Sequence, residues 1–168
     1  MRNTTLCYIR RGEDVLLLHR IKKENDENRD KWIGIGGKVE EGESPEECNS
    51  REVLEETGLK LLSAHFHGVI GFRSDMFEDE DMYLYSSDCF VPCEADAAGE
   101  YARTGNYVPP VCSEGELRWI PKDKVMELPA WEGDRFFLKH LIEGRKHICM
   151  TLVYEGENCK VIDEDIDG

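Results

Sequence analysis

Ser44–Thr57 is the stretch that most narrows what this chain can become, because both ends of a helix are written into it. Ser44 and Glu47 stand at capping-box spacing, Pro45 takes the first helical position, and Gly58 follows to close the last turn. Within that helix Glu55 and Glu56 follow Glu52 by three and four residues, so the three project from one face, with Cys48 on the same side. Like charges at this spacing cost a helix roughly a few tenths of a kcal/mol per pair in water, and more where water is excluded. Glutamates near the C-terminal end also oppose the helix dipole. A cation among them would reverse both penalties.

Clustered carboxylates suit a hard ion such as Mg²⁺ or Mn²⁺, which keeps several waters and takes substrate phosphates as further ligands. Such an ion supplies what cleavage of a diphosphate linkage needs: charge neutralisation, orientation and an activated water. Gly36 and Gly37, just before the helix, let backbone approach a ligand closely, which brings the Gly36 carbonyl within reach of the metal shell. Arg51, four residues before Glu55, is spaced to brace the cluster by an ion pair. Glutamate-rich helices are more often solvated faces, and Glu40, Glu41, Glu46 and Glu47 read as only that. What separates Glu52, Glu55 and Glu56 from them is the pattern around the triple.

That pattern resembles the box of the Nudix hydrolase family, G-x5-E-x7-R-E-U-x-E-E-x-G-U with U apolar. Each fixed position is filled, by Gly37, Glu43, Arg51, Glu52, Val53, Glu55, Glu56, Gly58 and Leu59. The resemblance implies an α/β/α sandwich around a mixed central sheet, with the box forming a loop–helix–loop metal site. It implies that Glu52, Glu55 and Glu56 are the metal-binding and catalytic carboxylates, with Glu43 and Arg51 as supports holding loop and helix together.

Many members of that family recruit a further glutamate from outside the box, as metal ligand or general base. Cys112-Ser113-Glu114-Gly115-Glu116-Leu117-Arg118-Trp119 resembles that loop, with Glu114 the first candidate, Glu116 the second, and two exposed turn carboxylates the alternative. Trp32-Ile33-Gly34-Ile35-Gly36-Gly37-Lys38 is similar to the W-x-G-x-G-G-K entry of the MutT-like branch, which hydrolyses oxidised purine nucleoside triphosphates. Trp131-Glu132-Gly133-Asp134 resembles the aromatic-plus-carboxylate segment with which members of that branch hold a purine. An indole can stack on a base and a carboxyl can pair with its edge; the other reading makes Trp131 a core or capping aromatic and Asp134 a first-turn dipole partner. One departure stands out: some relatives carry Asn where this chain has Ile33, which cannot hydrogen-bond a base.

The rest of the chain sets limits. Its 168 residues, 40% hydrophobic, suit one domain over residues 1–168. A formal net charge of −15 argues against a nucleic-acid polymer as partner, whereas a bound cation can invert the local sign for a small phosphorylated substrate. No apolar run approaches the roughly 20 residues needed to cross a bilayer, and nothing apolar follows Met1–Thr5 as a signal would require. A cytoplasmic protein, monomer or homodimer, is expected. Of the seven cysteines, Cys7 and Cys149 lie in strand-like runs, and the close pair Cys89 and Cys93 lacks partners for a zinc site, so reduced thiols are expected.

Strands are expected at Thr4–Arg10, Val15–Arg20, Leu61–Arg73, Met82–Val91 and Leu117–Ile120, with a terminal hairpin from Lys146–Tyr154 and Lys160–Ile162. A second helix is expected over Trp131–Glu143, and charged Ile21–Lys31 reads as an exposed loop. Polar, turn-rich Pro92–Pro110 reads as a long loop near the substrate mouth. The fold class is therefore α+β, and the expected reaction is Mg²⁺-dependent hydrolysis of 8-oxo-dGTP to the monophosphate and pyrophosphate. The rivals are a Nudix pyrophosphatase acting on ADP-ribose or a similar diphosphate, and a non-catalytic nucleotide sensor, which would be expected to have lost box glutamates.

Overall fold

A computed structural model describes residues 1–21, 29–110, 112 and 114–167. Residues 22–28 of the charged stretch Ile21–Lys31 lie outside these, as does Ser113. The described elements run β1 (Arg2–Arg11), β2 (Asp14–His19), β3 (Trp32–Ile33), β4 (Ile35–Lys38), α1 (Pro45–Thr57), β5 (Leu59–Ser74), β6 (Glu80–Pro92), α2 (Ala95–Thr104), β7 (Glu116–Pro121), α3 (Glu132–Ile142), β8 (Ile148–Glu155) and β9 (Asn158–Ile166). The strands join in one sheet of order β3-β2-β1-β6-β5-β8-β9, with β4 pairing β1 and β7 pairing β2. The β1–β6 and β5–β8 pairs are parallel and the others antiparallel, so the sheet is mixed. This is the expected α+β class, and β1, β5 and β6 each begin two residues before and end one residue after the expected bounds.

Side-chain alternation divides the core into two layers. Cys7 and Ile9 of β1 and Leu16 and Leu18 of β2 join Ile35, Val53 and Leu59 on the α1 side. Tyr8, Val15 and Leu17 join Ile70, Met82, Leu84, Phe137, Leu138 and Leu141 on the α3 side. Both faces of the central strands are therefore covered by a helix. The β1–β2 and β8–β9 turns place Gly12 (φ +59°) and Gly156 (φ +63°) where a side chain would strain the backbone.

α1 is capped as its sequence requires. Ser44 Oγ accepts from the Glu47 amide at 3.1 Å, and the Glu47 carboxylate accepts from the Ser44 amide at 3.0 Å. Gly58 closes the helix at φ +73°, its amide donating to the Leu54 carbonyl.

Pro92–Pro110 departs from the expected loop. Ala95–Thr104 forms α2, its N-terminus capped by Glu94 and its C-terminus by Gly105 at φ +74°. The alanines at 95, 97, 98 and 102 favour helix. The signal was hidden by the flanking prolines and by the small size of the apolar face, alanines with Tyr101, of which no residue is fully buried. None of residues 92–110 lines the cavity described below. Tyr101 packs on Phe90, the Tyr107 hydroxyl donates to the Thr57 carbonyl, and the Tyr107 carbonyl accepts from Trp119 Nε1 at 3.1 Å. The segment props the C-terminal end of α1 instead.

Candidate active site

Arg51 is the hub of the charged end. Its Nε and Nη2 grip both oxygens of Glu43, at 2.6 and 3.0 Å, and Nη2 also reaches the Lys38 carbonyl at 3.2 Å. The fork geometry of a guanidinium suits this two-point grip, and it ties the loop before α1 to the helix. Nη1 donates to Glu52 at 2.8 Å and to Glu55 at 3.2 Å. Hydrogen bonds from Arg51 and from the Glu40 amide hold the Glu43 carboxyl down to about 2. Glu43 is thus a fixed anion that keeps Arg51 in place beside the triple.

The glutamates of the triple are not equivalent. Glu55 is largely exposed, while Glu52 is only 15% exposed at its side chain. Burial raises the Glu52 carboxyl, with Arg51 opposing. Glu56 is pushed up to about 8, chiefly by burial and then by the negative charges of Glu114 and Glu52. Its Oε2 is buried without a hydrogen-bond partner, an arrangement that costs free energy unless a proton or a cation joins it.

The loop before β7 supplies Glu114. It pairs with Arg20 at 3.2 Å and lies close enough to Glu56 and Glu52 to raise both. Gly115 makes this possible, since a Cβ there would stand 1.9 Å from the His19 carbonyl oxygen. Glu116, the second candidate, points elsewhere and bonds Arg118 at 3.0 Å.

The glycines before α1 have distinct steric reasons. A Cβ on Gly36 would stand 1.8 Å from the Thr5 carbonyl oxygen, across the β1–β4 pair. A Cβ on Gly37 would stand 2.5 Å from the Glu52 carboxylate. The absence of that methyl is what lets Glu52 lie against the loop.

Among the described residues, no three carboxylate, imidazole or thiol side chains close into a ready-made metal cage. The donor set nevertheless fits a hard cation. Arg51 occupies oxygens of Glu52 and Glu55 that a doubly charged ion would compete for, Glu56 holds a buried oxygen with no partner, and Mg²⁺ sites ordinarily leave most of the shell to water and phosphate.

A cavity of about 420 Å³ runs from this end across the α3 side of the sheet. Arg20, Gly36, Gly37 and Lys38 line one end, and Trp131, Asp134 and Tyr154 line the other. Ile33 stands in the wall between them. Trp131 occupies the N-cap position of α3, without a capping hydrogen bond from its side chain, and Asp134 its first turn, and both line the cavity. The Trp131 ring meets Phe77 and Tyr154 edge-on, with the Lys31 ammonium 4.6 Å over it. Burial, with Glu80 next, lifts the Asp134 carboxyl to about 7.

Trp32 does not join this wall, contrary to the expectation from its motif. Its ring stacks on His19 at 4.3 Å and its amide donates to the Pro129 carbonyl, which anchors the strand entering the glycine loop. Sequence reasoning missed Arg2, Thr4 and Glu80, which meet in the cavity floor through hydrogen bonds spanning 76 and 78 residues of chain. It also missed Phe72 and Met82 beside them. The apolar pair could have been found from strand alternation; the polar ones carry no local signal.

Three comparisons bear on this arrangement. The NUDIX domain family model matches residues 1–141. YvcI of Bacillus subtilis, described as an uncharacterized Nudix hydrolase, is 29% identical over 157 residues, covering 94% of this chain and 89% of YvcI. The oxidized purine nucleoside triphosphate hydrolase of Mus musculus is 29% identical over 119 residues, covering 69% of this chain and 65% of that protein. In fold, the MutT protein of Bacillus halodurans superimposes with a TM-score of 0.75 at 24% identity, covering 99% of this chain and 98% of that one. With the family model matched over residues 1–141 and each fixed position of the box in place around Arg51, the chain belongs to the Nudix family of hydrolases.

Proposed function

We propose that this protein hydrolyses a nucleoside triphosphate, preferentially an oxidised purine such as 8-oxo-dGTP, to the nucleoside monophosphate and pyrophosphate. The carrying observation is the single cavity that joins the glycine loop and Arg20 to Trp131 and Asp134. Cationic and glycine residues together with an aromatic and a carboxyl in its lining suit a substrate that carries phosphates and an aromatic base. The likeness to the mouse oxidized purine nucleoside triphosphate hydrolase supports the same reading.

Glu52, Glu55 and Glu56, with the Gly36 carbonyl and Glu114, would hold Mg²⁺ or Mn²⁺. When bound, the ion neutralises charge on the phosphate oxygens and lowers the pKa of a coordinated water. Arg51 and Glu43 orient the carboxylates. Glu114 or a box glutamate takes the proton of the water attacking phosphorus. Lys38 and Arg20, in the cavity wall, supply positive charge toward the phosphates. Trp131 stacks on the base and Asp134 bonds its edge, while Ile33 contributes only apolar surface.

The test is kcat/KM with Mg²⁺ for 8-oxo-dGTP, dGTP, dATP and ADP-ribose, with pyrophosphate and orthophosphate measured separately. The reading expects pyrophosphate release and the highest value for 8-oxo-dGTP. Preference for ADP-ribose, or no turnover of any triphosphate, would overturn it.

A further inference from the structure

We propose that Glu80 is a specificity-determining residue that accepts N–H donors from the base of a guanine-type nucleotide. The proposal rests on the reading of the cavity's far end as a base site. β1 and β6 run parallel with Arg2 opposite Glu80 and Thr4 opposite Met82. Alternation puts Arg2, Thr4, Leu6, Glu80 and Met82 on the α3 face, where all five line the cavity floor. Arg2 Nη2 donates to Glu80 Oε1 and Thr4 Oγ1 donates to Glu80 Oε2, both at 2.6 Å. The Glu80 side chain is only 18% exposed.

An ion pair in that position is hard to explain by stability. With Arg2 still 32% exposed, a pair this near solvent contributes little to stability in general, and apolar residues of similar volume often serve as well. The neighbouring floor residues Leu6, Phe72 and Met82 are apolar. A carboxylate has about four acceptor sites, and Arg2 and Thr4 engage one on each oxygen. Each oxygen keeps capacity for one bond more, which matches two adjacent donors on a ligand.

Guanine offers such a pair, the ring N1–H and the 2-amino group, beside a carbonyl acceptor. Adenine offers one amino group and no ring N–H on that edge. Asp134, in the same cavity and near neutrality in its titration because of burial, can donate to the carbonyl. Two acids from different elements thus line one cavity and between them can offer acceptors and a donor to a guanine edge. The 8-oxo group lies on the opposite edge of the base, so Glu80 reads guanine without regard to oxidation.

The test is Glu80→Gln, which keeps the shape and places an amide where the donors point. KM should rise about tenfold or more for dGTP and 8-oxo-dGTP alike, with the loss concentrated in KM and not in kcat. The rise should be smaller for dITP, which lacks the 2-amino group, and smallest for dATP, while the ratio between 8-oxo-dGTP and dGTP stays the same. Thr4→Val, removing one bond to Glu80, should move KM the same way by roughly threefold and carries the test if Glu80→Gln does not fold. An equal loss for all four nucleotides with a lowered Tm, or unchanged KM values, would overturn the proposal and leave the reaction intact. Should the wild-type protein bind dGMP without hydrolysing dGTP, the reaction is wrong and the Kd ratio of Glu80→Gln to wild type for dGMP and dAMP decides Glu80. Failure of the wild-type protein to bind dGMP would also overturn the proposal.

Discussion

Carboxylates crowd the α1 face beside the glycine-loop end of the cavity and are spread through apolar surface at its other end, and the two regions differ in what burial does to them. At the α1 end Glu52, Glu55, Glu56 and Glu114 gather around a single helix face, with Arg51 and Arg20 as the described cations paired to them. Burial there lifts Glu56 to about 8 and leaves one of its oxygens without a partner. At the α3 end Asp134 is lifted to about 7 among Trp131, Tyr154 and the strand floor. The first site is frustrated until a cation enters, because several like charges share it. The second holds an acid that burial favours in its neutral, donating form, with Glu80 adding to the effect and Arg135 and Lys31 opposing it. The same physical effect, loss of water around a carboxyl, raises both Glu56 and Asp134, with different neighbours in each place.

The largest expected effect breaks the first end alone. Glu56→Gln keeps the size and removes the charge, and kcat should fall by about 10²–10⁴, while the Tm in chelator stays level or rises. Calorimetry should show weakened Mg²⁺ or Mn²⁺ uptake by the variant. Near-wild-type turnover, or a wild-type protein that takes up neither ion with or without a nucleotide analogue, would defeat the metal assignment.

A second pair of variants separates chemistry from folding within the glycine loop. Gly37→Ala would drive a methyl against the end of the Glu52 side chain, which can move. Turnover should drop about tenfold to a hundredfold with little change in Tm. Gly36→Ala would drive the methyl into Thr5 backbone, which cannot move without parting β1 from β4. Its cost should appear as lost stability, about 1–3 kcal/mol. Equal Tm losses for the two would remove the distinction.

These two ends also differ in how legible they were. The catalytic end sits on one loop and one helix, Gly36–Gly58, so capping, periodicity and the box revealed it together. Glu114 was singled out because its turn precedes a strand on which Trp119 sits, and its closeness to Glu56 depends on Gly115 packing against β2. The base end is assembled from β1, β5, β6, α3 and β8. No window of sequence contains both Arg2 and Glu80, and their pairing follows from the parallel β1–β6 register, which alternation of side chains does not specify. Trp32 shows the converse hazard. It sits in a motif that predicts a ligand contact, and the fold uses it to stack on His19. α2 escaped notice because its apolar stripe consists of alanines and the single aromatic Tyr101, too weak a pattern to stand out beside the prolines that follow.

At the base end the expected losses are smaller and fall on KM. Trp131→Ala removes a stacking surface worth about 1–3 kcal/mol per base, so KM should rise roughly tenfold with kcat within a few-fold. If kcat falls as far as in Glu56→Gln, the two ends are not separable and the comparison fails.

The finest test concerns the proton on Asp134. Its carboxyl is raised from 3.8 to about 7, with burial the leading cause. Below pH 7 the group is protonated and donates; above pH 7 it ionises and can only accept. For a base that presents a carbonyl, KM should therefore climb a few-fold between about pH 6 and 8, as the donor is lost. Stability has the same sign: because the folded value is the higher one, stability associated with this group is complete below about pH 4 and declines as pH rises toward 7. Asp134→Asn keeps a donor at every pH, so its KM should be flat across that range and its Tm should not follow the wild-type decline. A wild-type KM that is already flat, measured with saturating Mg²⁺ so that the α1 end does not contribute, would mean that the buried acid does not contact the base and that the two ends of the cavity do not divide their labour in this way.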